Sequence, residues 1–330
     1  MKNYVLIIKI LFEGGQLMPF IDKPQVFSAS VNALKLGTEG REVTIGGGKT
    51  FPLYTFDAPA ENVTKIGIEI SDKGVDTTLP GLAAYYEGCT TIPEIAARAA
   101  KAEGADFVVL SLESADPNGD NAPIADCVET VKAVYDAIDK PLAVLGSKNI
   151  EKDTELLQAV AEALREKNIL LLSCREENYK AIGVGAVLAN HQNIAGESAV
   201  DINLAKQLNV LLSQMGVPSE KVAINCGSAA AGYGYEYLVS TIERVKSAAL
   251  AQNDVMLQMP IISMVGDDCW SVKEALLEES ENPVWGAREE RGIQMEIITA
   301  SGLVASGADA LIMRHPEAIK TIAAMIAGLK

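Results

Sequence analysis

The sequence predicts an α/β fold, a (β/α)8 TIM barrel preceded by an N-terminal β-hairpin, and three observations predict it. Apolar runs of strand length recur along the chain, segments of helical periodicity separate them, and the runs number eight. They lie at 65–71, 105–112, 141–146, 169–174, 193–197, 221–226, 260–266 and 308–314. Runs that are apolar throughout, rather than alternating, suit parallel strands covered on both faces. The fifth, 193–197, is short and polar and the weakest of the set. An open, doubly wound sheet is the competing topology.

The helical segments are read from spacing. Leu204, Leu208, Leu211, Leu212 and Met215 fall on one stripe, as do Val128, Val131, Tyr135 and Ile138, and again Leu238, Ile242, Val245 and Ala249. A last helix starts at Pro316 with Ile319, Ile322, Ala323 and Ile326 inward. Thr91 with Glu94, and Ser271 with Glu274, have capping-box spacing, while Asp153 and Asp201 read as simpler N-caps.

Before the barrel, residues 18–64 form an extension in which 42–45 and 49–53 flank Gly46-Gly47-Gly48 as a hairpin, placed to cover the lower end of the barrel. Residues 1–17 are expected to be a non-native or disordered extension, with Met18 the true start and Glu13-Gly14-Gly15 translated from a ribosome-binding sequence. Its apolar stretch from Tyr4 to Phe12 is too short to span a bilayer and is broken by Lys9, and no small-x-small cleavage site follows. Residues 65–330 are the barrel.

Composition narrows the function. With 48% hydrophobic and 22% charged residues, the 330-residue chain can bury a large core. A formal net charge of −16 argues against nucleic acid, whose binding needs clustered cations. The five cysteines, Cys89, Cys127, Cys174, Cys226 and Cys269, are scattered. They contain no Cys-x-x-Cys unit for zinc or an iron–sulfur cluster and no disulfide framework, so a cytoplasmic setting without membrane attachment is expected.

In this architecture ligands meet the C-terminal ends of the strands. Those ends supply Ser71 and Asp72, Ser111 and Glu113, Ser147, Cys174 and Arg175, Glu197 and Ser198, Asn225, Asp267 and Asp268, and Arg314 and His315. The loop from Asn225 through Ser228 to Tyr233 has the small residues that let backbone approach a planar ligand, with Tyr233 to stack or donate; a merely flexible loop is the plain alternative. Asp267 and Asp268 suit acid–base work or a cation, but such a pair is more often a solvated loop capping the next helix. Trp270 is balanced between ligand contact and packing. His315 is more commonly a helix-start residue than a functional imidazole, and His191 belongs to the opposite end of the barrel. No histidine pair has metal-ligand spacing, no nucleophile elbow occurs, and Gly48-Lys49-Thr50 fails the P-loop spacing because Val43 stands where glycine is needed. Gly183-x-Gly185 and Gly232-x-Gly234 do not complete a dinucleotide fingerprint. No catalytic residue and no metal ligand is assigned.

Four stretches carry a resemblance: 44–48 through 51–54, 201–209, 225–228 through 234–237, and Gln258-Met259-Pro260-Ile261 leading to Trp285-Gly286. From Met18 onward the chain resembles the small subunit of the corrinoid/iron–sulfur protein, the delta subunit of the acetyl-CoA decarbonylase/synthase complex. The resemblance implies a barrel that pairs with a large subunit and shields a corrinoid (cobalamin) held between the two. The methyl group would pass from methyltetrahydrofolate to acetyl-CoA synthase in the reductive acetyl-CoA (Wood–Ljungdahl) pathway. It implies no iron–sulfur cluster in this chain, and as partners the large subunit, the methyltetrahydrofolate methyltransferase and acetyl-CoA synthase. The expected corrinoid-facing residues are Glu113, Asn225, Ser228, Tyr233, Asp267, Trp270 and His315. A methyltetrahydrofolate:corrinoid methyltransferase, with Asn225 and Asp267 on a pterin, and a pure scaffold are the competing functions.

Overall fold

The computed structural model describes residues 23–38, 40–58 and 62–329. The stretch 1–17 lies outside them. Two antiparallel strands, β1 (Ala33–Thr38) and β2 (Arg41–Gly46), precede eight parallel ones. These are β3 (Lys65–Ser71), β4 (Phe107–Ser111), β5 (Leu142–Leu145), β6 (Leu170–Cys174), β7 (Asn193–Glu197), β8 (Val222–Asn225), β9 (Ile261–Met264) and β10 (Ala310–Met313). Each falls within one of the eight runs, the polar fifth included. Pairing runs from β3 to β10 in sequence order and closes where β10 meets β3, Ala310 beside Lys65, so the sheet is a barrel and not an open wind.

Alternation along the strands sorts the core into two parts. Ile66, Ile68, Ile70, Val108 and Leu110 face outward onto the helices. Phe107, Val109, Leu170, Leu172, Ile262 and Ile312 pack inside the barrel, together with Leu34, Leu36 and Ile45 of the hairpin. Gly67 is needed for this filling, because a Cβ there would lie 2.4 Å from the Phe107 ring. The three hairpin side chains are fully buried; each such burial is worth roughly 1.5–3 kcal/mol.

The hairpin plugs the N-terminal end of the barrel. Asn168 Nδ2 donates to the carbonyls of Lys35 (2.7 Å) and Gly37 (2.9 Å), and Asn193 Nδ2 donates to that of Lys35 (3.0 Å). Arg41 Nη1 donates to the carbonyls of Tyr135 and Ile138, with the guanidinium 3.7 Å from the centre of the Tyr135 ring.

This is not the expected pairing. The partner of 42–45 is β1, not 49–53. Gly46 and Gly47 adopt left-handed φ of 83° and 86°, carrying the chain away from β2, and a Cβ on Gly46 would lie 2.4 Å from the Asn32 carbonyl. Residues 49–53 run into turns instead.

Outside the barrel lie the helices Ile92–Ala99, Ile124–Ala137, Ile150–Ala163, Ile202–Gln214, Tyr235–Leu250, Arg288–Ser306 and Pro316–Gly328. Thr91 and Glu94 form the reciprocal capping box, and Asp201 caps its helix through the N–H groups of Asn203 and Leu204. Two expected caps are corrected. Asn149, not Asp153, caps Ile150–Ala163, because Asp153 is turned back onto the Ser147 N–H and hydroxyl, both at 2.7 Å. Ser271 does not cap: its hydroxyl donates to the Asp268 carbonyl, and the short helix Lys273–Leu276 begins at Val272 without a side-chain cap. His191 sits just before β7, at the plugged end.

Candidate functional site

Inward alternation on β10 continues past Ala310 and Ile312 to Arg314, and on β3 it passes from Gly67 to Glu69. These two side chains therefore meet above the apolar filling. Arg314 Nε and Nη2 donate to the two Glu69 carboxylate oxygens at 3.3 and 3.0 Å, and the Glu69 side chain is only 2% exposed. Asp267 Oδ1 lies 3.6 Å and Glu113 Oε1 3.8 Å from Arg314 Nη2. Burial opposes the charge on Arg314, yet the three carboxylates raise its pKa above the ordinary value.

Lys148 joins the network, its ammonium 2.6 Å from both Asp267 oxygens. It holds a left-handed backbone (φ 70°), a conformation that costs a non-glycine residue roughly 1–2 kcal/mol. Arg175 Nη2 pairs with Glu197 at 2.7 Å across the ends of β6 and β7.

Beside this layer, on the helix side of the strands, lies a further buried carboxylate. Glu296, fully buried on the helix Arg288–Ser306, accepts the backbone N–H of Arg314 (2.5 Å) and of His315 (3.1 Å), and the indole N–H of Trp270 (3.3 Å). Burial outweighs these donors and pushes its carboxyl up to about 7. Trp270 stacks on His315, with ring centres 5.8 Å apart, and presses against Gly292, where a Cβ would lie 2.3 Å from the indole.

His315 caps the last helix, its Nδ1 accepting the Glu317 N–H at 3.2 Å. That fixes the proton on Nε2, which faces Glu289 at 3.3 Å. Burial lowers the His315 pKa, so the contact is a hydrogen bond from a neutral imidazole. Burial also works against the Glu289 charge, but the N–H groups of Gly81 (2.7 Å) and Leu82 (2.8 Å) hold its carboxyl below the ordinary range.

Six of the seven expected site residues fall into two patches. Glu113, Trp270 and His315 border a cavity of about 390 Å³ beside β3, with Asp267 next to them on Arg314. Ser228 and Tyr233 line another of about 360 Å³, together with Asp268. Asn225 lines neither: its Nδ2 donates to Ser173 Oγ (3.0 Å) and its Oδ1 accepts the Gly227 N–H (3.0 Å). Tyr233, 44% exposed, donates its hydroxyl to Glu274 at 2.6 Å.

Asp267 and Asp268 are not on a solvated loop. They form part of a one-turn helix, Val265–Cys269, that starts as β9 ends. Burial raises the Asp268 carboxyl, and its Oδ2 is buried without a hydrogen-bond partner.

Sequence reading missed Glu69, Lys148, Glu289 and Glu296. The sharpest signal was Glu69, a carboxylate in mid-strand within Ile66-Gly67-Ile68-Glu69-Ile70. Buried charges of that kind are paired or neutral.

The thiols of Cys174, Cys226 and Cys269 are pushed up to about 12 by burial, the condition of structural rather than nucleophilic cysteine. Among the described residues no group of three or more His, Cys, Asp or Glu is arranged to hold a metal ion, and no helix is long and apolar enough to cross a membrane.

Among solved structures, the fold is shared with dihydropteroate synthases. The Xanthomonas albilineans enzyme with 4-aminobenzoic acid aligns at a TM-score of 0.55 and 13% identity over 90% of this chain and 98% of that one. The Vibrio fischeri enzyme aligns at 0.55 and 11%, with the same coverage. At such identities the likeness is one of fold alone.

Sequence relatives are far nearer. The acetyl-CoA decarbonylase/synthase complex subunit delta of Archaeoglobus fulgidus is 34% identical over 87% of this chain, and subunit delta 2 of Methanosarcina acetivorans is 32% identical over the same share. The chain spans 64% and 66% of the lengths of those two proteins. The family model for the CO dehydrogenase/acetyl-CoA synthase delta subunit matches residues 33–327, from the start of the plugging hairpin through the last helix. The chain therefore belongs to the CO dehydrogenase/acetyl-CoA synthase delta subunit family.

Proposed function

We propose that the chain is the small subunit of a two-subunit corrinoid/iron–sulfur methyl carrier. Its mouth would cover the corrinoid while a methyl group passes from methyltetrahydrofolate to acetyl-CoA synthase in the reductive acetyl-CoA pathway. Family membership over residues 33–327 is the observation that carries this. The partners would be the corrinoid/iron–sulfur large subunit, which would hold the cluster, the methyltetrahydrofolate methyltransferase and acetyl-CoA synthase, all in the cytoplasm.

The chemistry of the mouth fits such a group. A corrin ring is edged with carboxamide arms that donate and accept hydrogen bonds. The rim offers Ser228 and Asp268, whose side chains lie against each other, the Tyr233 phenol and the half-exposed Glu113 carboxylate. When bound, the corrinoid would supply a cobalt able to accept and release a methyl group. This chain's residues would orient the ring edge and exclude water. Arg314, Glu69, Asp267 and Lys148 already satisfy one another, so they form a rigid floor and not an acid–base pair poised for proton transfer.

Co-expression with the large subunit, followed by cobalt and iron assays, tests this. A stable heterodimer is expected, with cobalt retention reduced severalfold by Tyr233→Ala and Ser228→Trp. Cobalt retention unchanged in both variants would remove the mouth from the reading. Tight binding of methyltetrahydrofolate by the chain alone would favour a methyltransferase instead. In that case Asn225 and Asp267 would have to leave the Ser173, Gly227, Lys148 and Arg314 contacts that now occupy them.

A further inference from the structure

Residues 75–85 run on from the end of β3 as a strap that walls the 390 Å³ cavity through Val75, Asp76, Leu79 and Leu82. The same chamber reaches Glu69, Trp270, Arg314 and His315 of the mouth. The strap is thinly packed. Of its residues only Leu79 is buried, and its helix, Pro80–Tyr85, contains no buried residue at all. Both ends are fixed. Lys73 pairs with Asp120 at 2.8 Å on one side, next to Gly74, whose left-handed φ of 95° makes a turn that other residues enter only under strain. On the other side Tyr86 is 6% exposed, and the Tyr85 carbonyl accepts from Arg98 at 2.9 Å.

What holds the middle comes from far along the chain. Leu79, at the N-cap, offers no side-chain acceptor, so the first-turn N–H groups of Gly81 and Leu82 need one from elsewhere. Glu289 supplies it, at 2.7 and 2.8 Å, from the start of the helix Arg288–Ser306. Arg288 completes the clasp: it donates to the Thr78 hydroxyl (3.0 Å) and lies 3.7 Å from the Asp76 carboxylate. A six-residue helix without a buried face does not persist alone, because nucleation costs more than so few bonds return. Loss of the Glu289 cap and loss of the helix are therefore one event.

We infer that residues 75–85 are a hinged cover, folded only while Arg288 and Glu289 clasp it, whose release opens the chamber to solvent with the barrel intact. Segments with few buried contacts open well below the free energy of global unfolding, and covers of this kind control entry to a site. Leu79 is the one buried side chain that opening exposes.

Native-state hydrogen exchange on the purified full chain, read residue by residue, tests this. The amides of Gly81, Leu82 and Ala83, all hydrogen-bonded, should exchange about tenfold or more faster than those of β3 and β4. Their exchange should also be insensitive to low urea, the mark of a local opening. Glu289→Gln leaves one acceptor oxygen for two N–H groups and should speed the strap about tenfold more than it speeds β3 and β4. Arg288→Met should act in the same direction. Entry to the chamber is read on Trp270, which borders it, in a Trp285→Phe background that leaves it the sole indole. Acrylamide quenching of Trp270 should rise with Glu289→Gln.

Strap amides no faster than those of β3 and β4, strap exchange unmoved by Glu289→Gln, or faster exchange with no added quenching of Trp270 would each overturn the inference. None of these readouts needs a partner chain or a corrinoid, so the outcome is independent of cobalt retention in the heterodimer.

Discussion

The two ends of the barrel are closed by opposite physical means. At the N-terminal end, Leu34, Leu36 and Ile45 push a dry apolar wedge between the strands, and amide side chains (Asn168, Asn193) tie down its backbone. At the C-terminal end the same interior column stops in charge, with Arg314, Glu69, Asp267 and Lys148 bonded to one another. Apolar closure is tolerant of detail and supplies net stability. Ionic closure must be fully paired to break even, but it fixes directions. The contrast places stability at the plugged end and leaves the charged end as the surface proposed for recognition.

Three substitutions test this contrast. Leu36→Asp places a charge in the plug and should cost roughly 4 kcal/mol or more, enough to leave the chain largely unfolded, as read by urea titration. Only a small shift in midpoint would show that the hairpin is dispensable.

Arg314→Met comes next. It strands the Glu69 carboxylate and should cost about 3–5 kcal/mol, with Arg314→Met/Glu69→Gln recovering part of that. A double variant no better than the single would mean that the pair is not coupled.

The smallest effect is expected at Glu296. Its folded carboxyl titrates near 7 against an ordinary value of 4.5, so the folded state holds a proton that the unfolded state has lost between those values. Its contribution to stability is thus fully present below 4.5 and is lost as pH rises through about 7. Glu296→Gln should cost about 1–3 kcal/mol on the acid side, since the amide cannot satisfy all three donors. The gap to the native chain should narrow as pH rises. A gap that widens instead would show Glu296 ionised in the fold.

How much of this was legible depended on range along the chain. The eight barrel strands were readable because each is a local apolar run, and the helices because Leu238, Ile242, Val245 and Ala249 carry their spacing within a few turns. The hairpin was misread because β1 shows only Leu34 and Leu36 alternating, a weak signal beside Gly46-Gly47-Gly48 at the end of β2. At the mouth the residue types were readable from strand ends, but their partners were not. Arg314 and Glu69 are 245 positions apart and Lys148 and Asp267 are 119 apart, pairings that only barrel closure creates. Glu69 and Glu296 were hidden because strand- and helix-spacing rules treat a carboxylate in an apolar stretch as an exposed interruption. Trp270 was evenly balanced from sequence, and the structure gives it a packing partner in His315 and a place on the chamber wall.

The hairpin plug also bears on how the chain is made. Residues 33–46 leave the ribosome before every strand they fill, yet their neighbours include Asn168, Asn193, Pro260 and Ile312. Barrel closure likewise waits for β10 to reach β3. Through most of synthesis Leu34, Leu36 and Ile45 therefore have no interior to enter, and their edge is open to other chains. Such long-range pairing folds slowly. Yield in a cell should thus track the supply of chaperones that hold this segment until the last strand arrives.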